Sequence, residues 1–185
     1  DQNRVINEIN HDLKSNFKMF RILQGDVGSG KTIVSLIAAA NVIRSGWQVA
    51  IMAPTEILAR QHFELAQKIF KNTGINIGFL SGKSDPNKKK QIKENLIKSE
   101  IGLLIGTHAL FQKSVEFSNL ALIIIDEQHR FGVNQRLALR KKNDSETSAP
   151  HQLTLTATPI PRTLSMSVYA NMDVSVIDEL PPGRK

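Results

Sequence analysis

Cysteine is absent from all 185 residues, which excludes a disulfide framework and a thiolate metal site and points to an intracellular home. Long hydrophobic runs are absent as well. The longest unbroken apolar stretch beside a candidate strand is residues 120–125, far short of the roughly 18 residues a membrane helix needs, so no membrane partner is expected. No charged-then-apolar segment opens the chain, and no low-complexity tract or internal repeat runs through it. The histidines, His11, His62, His108, His129 and His151, lack the spacing of a metal cluster. Acidic charge is the minority: 17 Asp and Glu against 24 Lys and Arg leave a net charge of +7. That balance permits a polyanionic partner such as nucleic acid without naming one.

What is present is ordered. With 41% hydrophobic residues the chain can bury a sizeable core as one domain over residues 1–185. Short apolar runs alternate with longer amphipathic ones, the pattern of βα units on a mostly parallel sheet. Strands are expected over residues 20–23, 48–52, 76–80, 102–105, 121–125, 152–156 and 174–177. Leu122-Ile123-Ile124-Ile125 is apolar on both parities, as a strand covered on both faces should be. Residues 32–44 read as a helix apolar nearly all round, through Ile33, Leu36, Ile37, Ala40 and Ile43, and so buried. In residues 56–71 a narrower stripe runs through Ala59, Phe63, Ala66 and Phe70. Asp85-Pro86 opens another helix, with Ile92 and Leu96 inward and Lys88, Lys89, Lys90 and Lys93 on a solvated face. Residues 141–150 have no apolar period and read as a loop. The chain starts at Asp1 inside a helical pattern and stops in Pro181-Pro182-Gly183-Arg184-Lys185. Residues 178–185 therefore read as the start of a linker, and the whole as a piece of something larger.

The sharpest motif is Gly25-Asp26-Val27-Gly28-Ser29-Gly30-Lys31-Thr32, which fits G-x-x-x-x-G-K-T between an expected strand and an apolar helix. The glycines let the backbone curl so that successive N–H groups point at phosphate oxygens, with a helix N-terminus behind them. Lys31 offers a cation for the β- and γ-phosphates, and Thr32 a hydroxyl for Mg²⁺. A dinucleotide fingerprint fails, because Ile33 stands where a third glycine or alanine is required. No Asn-Lys-x-Asp element is present, so ATP is preferred to a guanine nucleotide.

A second motif is Asp126-Glu127-Gln128-His129 at the end of a buried apolar run. Adjacent carboxylates there are costly unless a cation or a reaction uses them. At the strand edge that carries the phosphate loop, Asp126 can hold Mg²⁺ and Glu127 can polarise an attacking water.

Together with Pro54-Thr55-Glu56-Ile57-Leu58-Ala59, Gly106-Thr107-His108-Ala109-Leu110 and Thr156-Ala157-Thr158-Pro159, these motifs resemble the first RecA-like lobe of a superfamily 2 helicase, in the family's order. More narrowly, the chain resembles the RecG-type branch of DNA translocases. That likeness rests on Gln24 to Thr32, on the DEQHRFGVNQR run 126–136, on the TATPIPRTL run 156–164 and on residues 176–184. It implies a three-layer P-loop NTPase (RecA-like) lobe in a bacterial cytoplasmic enzyme, using ATP and Mg²⁺ to remodel stalled forks and branched DNA.

The resemblance also implies roles. Pro54, Thr55, Gly106, Thr107 and His108 match elements that grip the nucleic-acid backbone, while Thr156 and Thr158, with Gln128 and His129, match those coupling the nucleotide site to DNA. Gln2 falls where such helicases place a glutamine on the adenine. Arg130 and Phe131 are coupling candidates in the same block. A second RecA-like lobe and a wedge domain are the implied partners, elsewhere in a longer chain. Simpler roles stand beside these: Thr55 as a helix N-cap, Pro54 as a strand terminator. Alternatives for the whole are a lobe like that of transcription-repair coupling factor, a small-molecule kinase, and a nucleotide-binding module that never turns over.

Overall fold

Each strand expected from the apolar pattern forms, with its ends moved by two residues at most, in the computed structural model, which describes residues 1–127, 149–158 and 172–178. They are β1 (Phe20–Gly25), β2 (Gln48–Met52), β3 (Ile77–Leu80), β4 (Leu103–Gly106), β5 (Leu120–Asp126), β6 (His151–Thr156) and β7 (Asp173–Ile177). All pair in parallel, in the order β3-β4-β2-β5-β6-β1-β7. Among the described residues the α-helices are α1 (Gln2–Lys14), α2 (Lys31–Arg44), α3 (Glu56–Ile69) and α4 (Pro86–Ile97).

Alternation along the central strands sorts the core into two layers. Val49, Ile51, Leu103, Ile105, Leu122, Ile124, Leu153 and Leu155 join Val5 and Ile9 of α1, Leu36 and Ala39 of α2, and Ala66 of α3. The alternate set, Ala50, Met52, Leu104, Ile123 and Ile125, packs with Leu96 of α4 and with Leu110. A sheet covered on both faces is the three-layer arrangement.

Two expectations about side chains change. The inward face of α2 is Val34, Leu36, Ala38, Ala39 and Val42, while Ile33 and Ile37 are each 37% exposed. On α4 Leu96 is buried and Asp85 caps, accepting from the backbone N–H groups of Asn87 and Lys88. Lys89 and Lys93, however, are tied down by donating to the Gly82 carbonyl and the Ser114 hydroxyl, each at 2.7 Å. Lys88 and Lys90 of that run are exposed, and Lys89 and Lys93 are half-buried. Residues 141–148 lie outside the described residues.

Polar pins fix α1 to the sheet. Arg21 of β1 is 9% exposed and reaches Asp12 of α1 and Ser175 of β7, each at 2.7 Å. Arg4 donates to the Val176 carbonyl at 2.8 Å. Gly106 has a steric reason: a Cβ there would collide with the Leu80 carbonyl of the neighbouring strand.

His151, at the start of β6, accepts the Met19 N–H at Nδ1 across 3.0 Å. Burial lowers its pKa, the charge of Lys18 adds to this, and Asp12 opposes it. The folded form thus holds the proton less tightly than the unfolded chain. Its stabilisation is fully present above the ordinary histidine value and is lost as pH falls from there towards the depressed folded one. Urea unfolding across that window should show wild-type stability dropping with acidity, with the slope reduced in His151→Gln. An unchanged slope in the variant would assign the pH dependence elsewhere.

Candidate functional site

Parallel strands end at one edge, and at this edge the motif residues meet. β1 ends in Gly25, β2 runs on into Pro54-Thr55, β4 ends in Gly106, β5 in Asp126 and β6 in Thr156. The register is informative: β6 separates β5 from β1, with Leu155 opposite Asp126 and Thr156 opposite Gln24. Thr156 therefore lies between the carboxylate strand and the strand that delivers the glycine-rich loop.

That loop turns on two left-handed glycines, Gly28 (φ 88°) and Gly30 (φ 90°), the second being the N-cap residue of α2. A Cβ on Gly25 would stand 2.6 Å from Ser29 Oγ, so the backbone is wrapped tightly round that hydroxyl. Ser29 Oγ is buried and has no hydrogen-bond partner among the described residues. Asp26, Val27 and Gly28 are exposed at the tip, and Thr32 sits half-buried in the first turn of α2. Lys31 Nζ donates to the Gly25 and Asp26 carbonyls at 2.5 and 2.7 Å. Burial lowers the Lys31 pKa, and the charges of Asp126, Glu127 and Asp26 oppose that shift. Loop lysine and strand-end carboxylates thus share one electrostatic environment. Gln2 reaches the same loop, donating from Nε2 to the Ser29 carbonyl at 3.0 Å.

The two carboxylates are held from different sides. Glu127 has φ 51°, a left-handed conformation that costs a non-glycine residue about 1–3 kcal/mol and persists where surroundings impose it. Its N–H donates to the Leu155 carbonyl at 2.9 Å, and its Oε1 accepts from the Ala157 N–H at 3.2 Å. Asp126 Oδ2 stands 2.7 Å from His62 Nε2. Sequence reading missed His62, having placed Phe63 on the α3 stripe; His62 is 8% exposed on α3 and takes a core position between Ala59 and Ala66. The available signal was a histidine three residues after one buried alanine and four before the next. Among the described residues no three or more His, Asp, Glu or Cys side chains cluster to hold a metal.

The remaining motif residues divide. Thr55 is exposed and caps α3, its Oγ1 accepting from the Leu58 N–H at 3.3 Å; Pro54 is half-buried. Gly106 and Thr107 are buried and His108 alone of that trio is exposed, so the Thr107 hydroxyl is withdrawn from the surface set. Thr156 is buried, its Oγ1 accepting from the N–H of exposed Thr158 at 3.1 Å. Gln128, His129, Arg130 and Phe131 lie outside the described residues.

The profile of the DEAD/DEAH box helicase family matches residues 1–167. The chain is 55% identical over 183 residues to the ATP-dependent DNA helicase RecG of Haemophilus influenzae, covering 99% of this chain and 26% of that protein. It is 52% identical to RecG of Aquifex aeolicus, covering 100% of this chain and 23% of the relative. Among solved structures it resembles RecG bound to a three-way DNA junction, with a TM-score of 0.85 and 42% identity over 100% of this chain and 24% of that one. The DEAD-box helicase Mss116 bound to single-stranded RNA shares the fold, at a TM-score of 0.72 and 22% identity over 98% of this chain and 40% of the other. The chain spans about a quarter of the length of the RecG relatives it matches.

Proposed function

Because the chain belongs to the DEAD/DEAH box helicase family, we propose that it is the ATP-binding motor lobe of a RecG-type DNA helicase. In this reading residues 1–185 form one RecA-like lobe, and the stretch from 178 leads into a second. That partner lobe and a wedge domain belong to the same longer, cytoplasmic protein, which acts on branched DNA. The observation that carries the reading is the convergence on one sheet edge of the Gly25–Thr32 loop, the Asp126–Glu127 pair and Thr156. It is supported by RecG relatives 52–55% identical over nearly the whole chain.

The residues fit MgATP. A buried Ser29 hydroxyl with no partner among the described residues, two left-handed glycines and a half-buried ammonium on Lys31 make a cradle suited to phosphate. Gln2, which touches the loop, is assigned to the base side. Thr32 and Asp126 would hold Mg²⁺, which supplies charge neutralisation at the phosphates when bound. Glu127 orients and polarises the attacking water, and the Ala157 N–H fixes the carboxylate that does so. Thr55, His108 and half-buried Pro54 present the edge given to the DNA backbone, with buried Gly106 and Thr107 supporting it from beneath and the positive balance of the chain behind them. Gln128 and His129 are assigned to coupling.

The test is ATP hydrolysis by the intact protein with and without branched DNA. Clear stimulation by a three-way junction is expected. Hydrolysis indifferent to DNA would favour a self-contained ATPase, and binding without turnover would favour an interaction module.

Thr156 and Thr158 offer a finer prediction. Thr156 lies at the strand end between loop and carboxylates and is bonded to Thr158, while Lys31 Nζ donates to the Gly25 and Asp26 carbonyls, so the double variant Thr156→Ala with Thr158→Ala should retain ATP affinity. It should lose junction unwinding by a larger factor than it loses hydrolysis. Measuring both rates on one preparation decides: equal proportional losses would make these threonines packing residues only.

A further inference from the structure

We propose that His62 is the positioning residue for Asp126, fixing that carboxylate from the α3 side so that it meets Mg²⁺ in one orientation. The inference rests on reading Asp126 as the Mg²⁺-holding carboxylate.

The case starts from an expense. An imidazole 8% exposed beside a half-buried carboxylate is a costly occupant for a helix stripe whose neighbours are Ala59 and Ala66. Well-packed apolar residues in place of a buried polar pair are often neutral or stabilising, so packing alone gives no reason for a histidine here. Geometry gives one. A carboxylate that holds a cation only accepts, so in this reading Nε2 carries the hydrogen and donates to Oδ2 across 2.7 Å. That bond stops rotation of the carboxylate about its Cβ–Cγ axis and occupies one of its two oxygens, leaving Oδ1 uncommitted by His62. Ligand carboxylates are generally oriented by such outer partners, whose loss typically costs about 10–100-fold in metal affinity.

The arrangement is also paired. Glu127, the next residue, is held by the Ala157 N–H from beyond β6, on the other side of β5 from α3's strands. Two adjacent carboxylates with different tasks are thus held by two separate elements. Moreover, α3 begins at the exposed cap Thr55, so the helix that ends the β2 loop at the surface is the helix that grips Asp126 two turns later.

The experiment measures binding of a fluorescent ADP to the intact protein in EDTA and across a Mg²⁺ series. His62→Leu should bind ADP in EDTA as the wild type does, yet need about tenfold or more Mg²⁺ to reach the half-point of the Mg²⁺-dependent gain. His62→Gln, which retains an N–H donor, should recover most of that shift. His62→Asn, too short to keep the bond, stands in if the leucine variant does not fold, and should behave as leucine does. A wild-type Mg²⁺ midpoint in the leucine or asparagine variant overturns the proposal, as does equal weakening with and without Mg²⁺, or a glutamine variant no better than leucine. If wild-type ADP binding itself ignores Mg²⁺, the metal role of Asp126 falls and this role falls with it. A Mg²⁺-dependent wild type beside an unshifted His62→Leu removes the positioning role alone.

Discussion

Glu127→Gln is expected to leave MgATP binding intact and to cut turnover by about 10²–10⁴, the range for removing a general base. Position makes the substitution clean. Glu127 is locked by its own N–H on Leu155 and by the Ala157 N–H on Oε1. A glutamine can keep that second bond with its amide oxygen, so the left-handed backbone at φ 51° need not relax. What disappears is the charge that would draw a proton from water. Equilibrium titration with MgATP, followed by single-turnover hydrolysis in the intact protein, separates the two effects. A glutamine variant that hydrolyses at the wild-type rate would take Glu127 out of the chemistry.

Lys31→Ala should weaken nucleotide affinity at least tenfold, roughly 1.4 kcal/mol, and lower turnover by about 10²–10³, as losing one preorganised donor at developing charge does. Lys31 Nζ bridges the Gly25 and Asp26 carbonyls, so it spans the loop it serves. Its ammonium is desolvated, and nearby Asp126, Glu127 and Asp26 favour the charged form. An alanine removes the cation and leaves two carbonyls without this donor. Calorimetric titration with ADP gives the affinity term; equal affinity in the variant would place the phosphates elsewhere.

How much of this could be read from the chain alone depended on range. Strands show because both-parity apolar runs such as Leu122 to Ile125 are a local property, and the loop shows because its glycines are fixed in spacing to Lys31. The α2 helix was harder. A helix apolar all round carries no directional signal, so nothing local says that Val34 and Ala38 go inward while Ile33 and Ile37 stay partly out. Thr107 was equally opaque, since its burial follows from β4 closing against Leu80, a contact between distant segments. His62 is the plainest case. Its meaning depends on Asp126, 64 positions away, and no period in either segment refers to the other. Pairings across a sheet are set by topology, and topology is where local patterns are silent.

The same topology governs how such a chain can be made. β2, β3, β4 and β5 form one contiguous block of the sheet and are synthesised consecutively, so they can join as soon as β5 emerges. β1 is different: its two partners are β6 and β7, and it touches no strand made before residue 151. At translation rates of about 5–20 residues per second, the first strand waits on the order of ten seconds for its bonding edges to be covered. Throughout that delay the nascent molecule has a half-built sheet and two unsatisfied backbone ladders, the condition in which chains aggregate or recruit chaperones. On the proposed reading, nucleotide binding at Gly25–Thr32 would be a late event in biogenesis, reporting that the most distant pairings have closed.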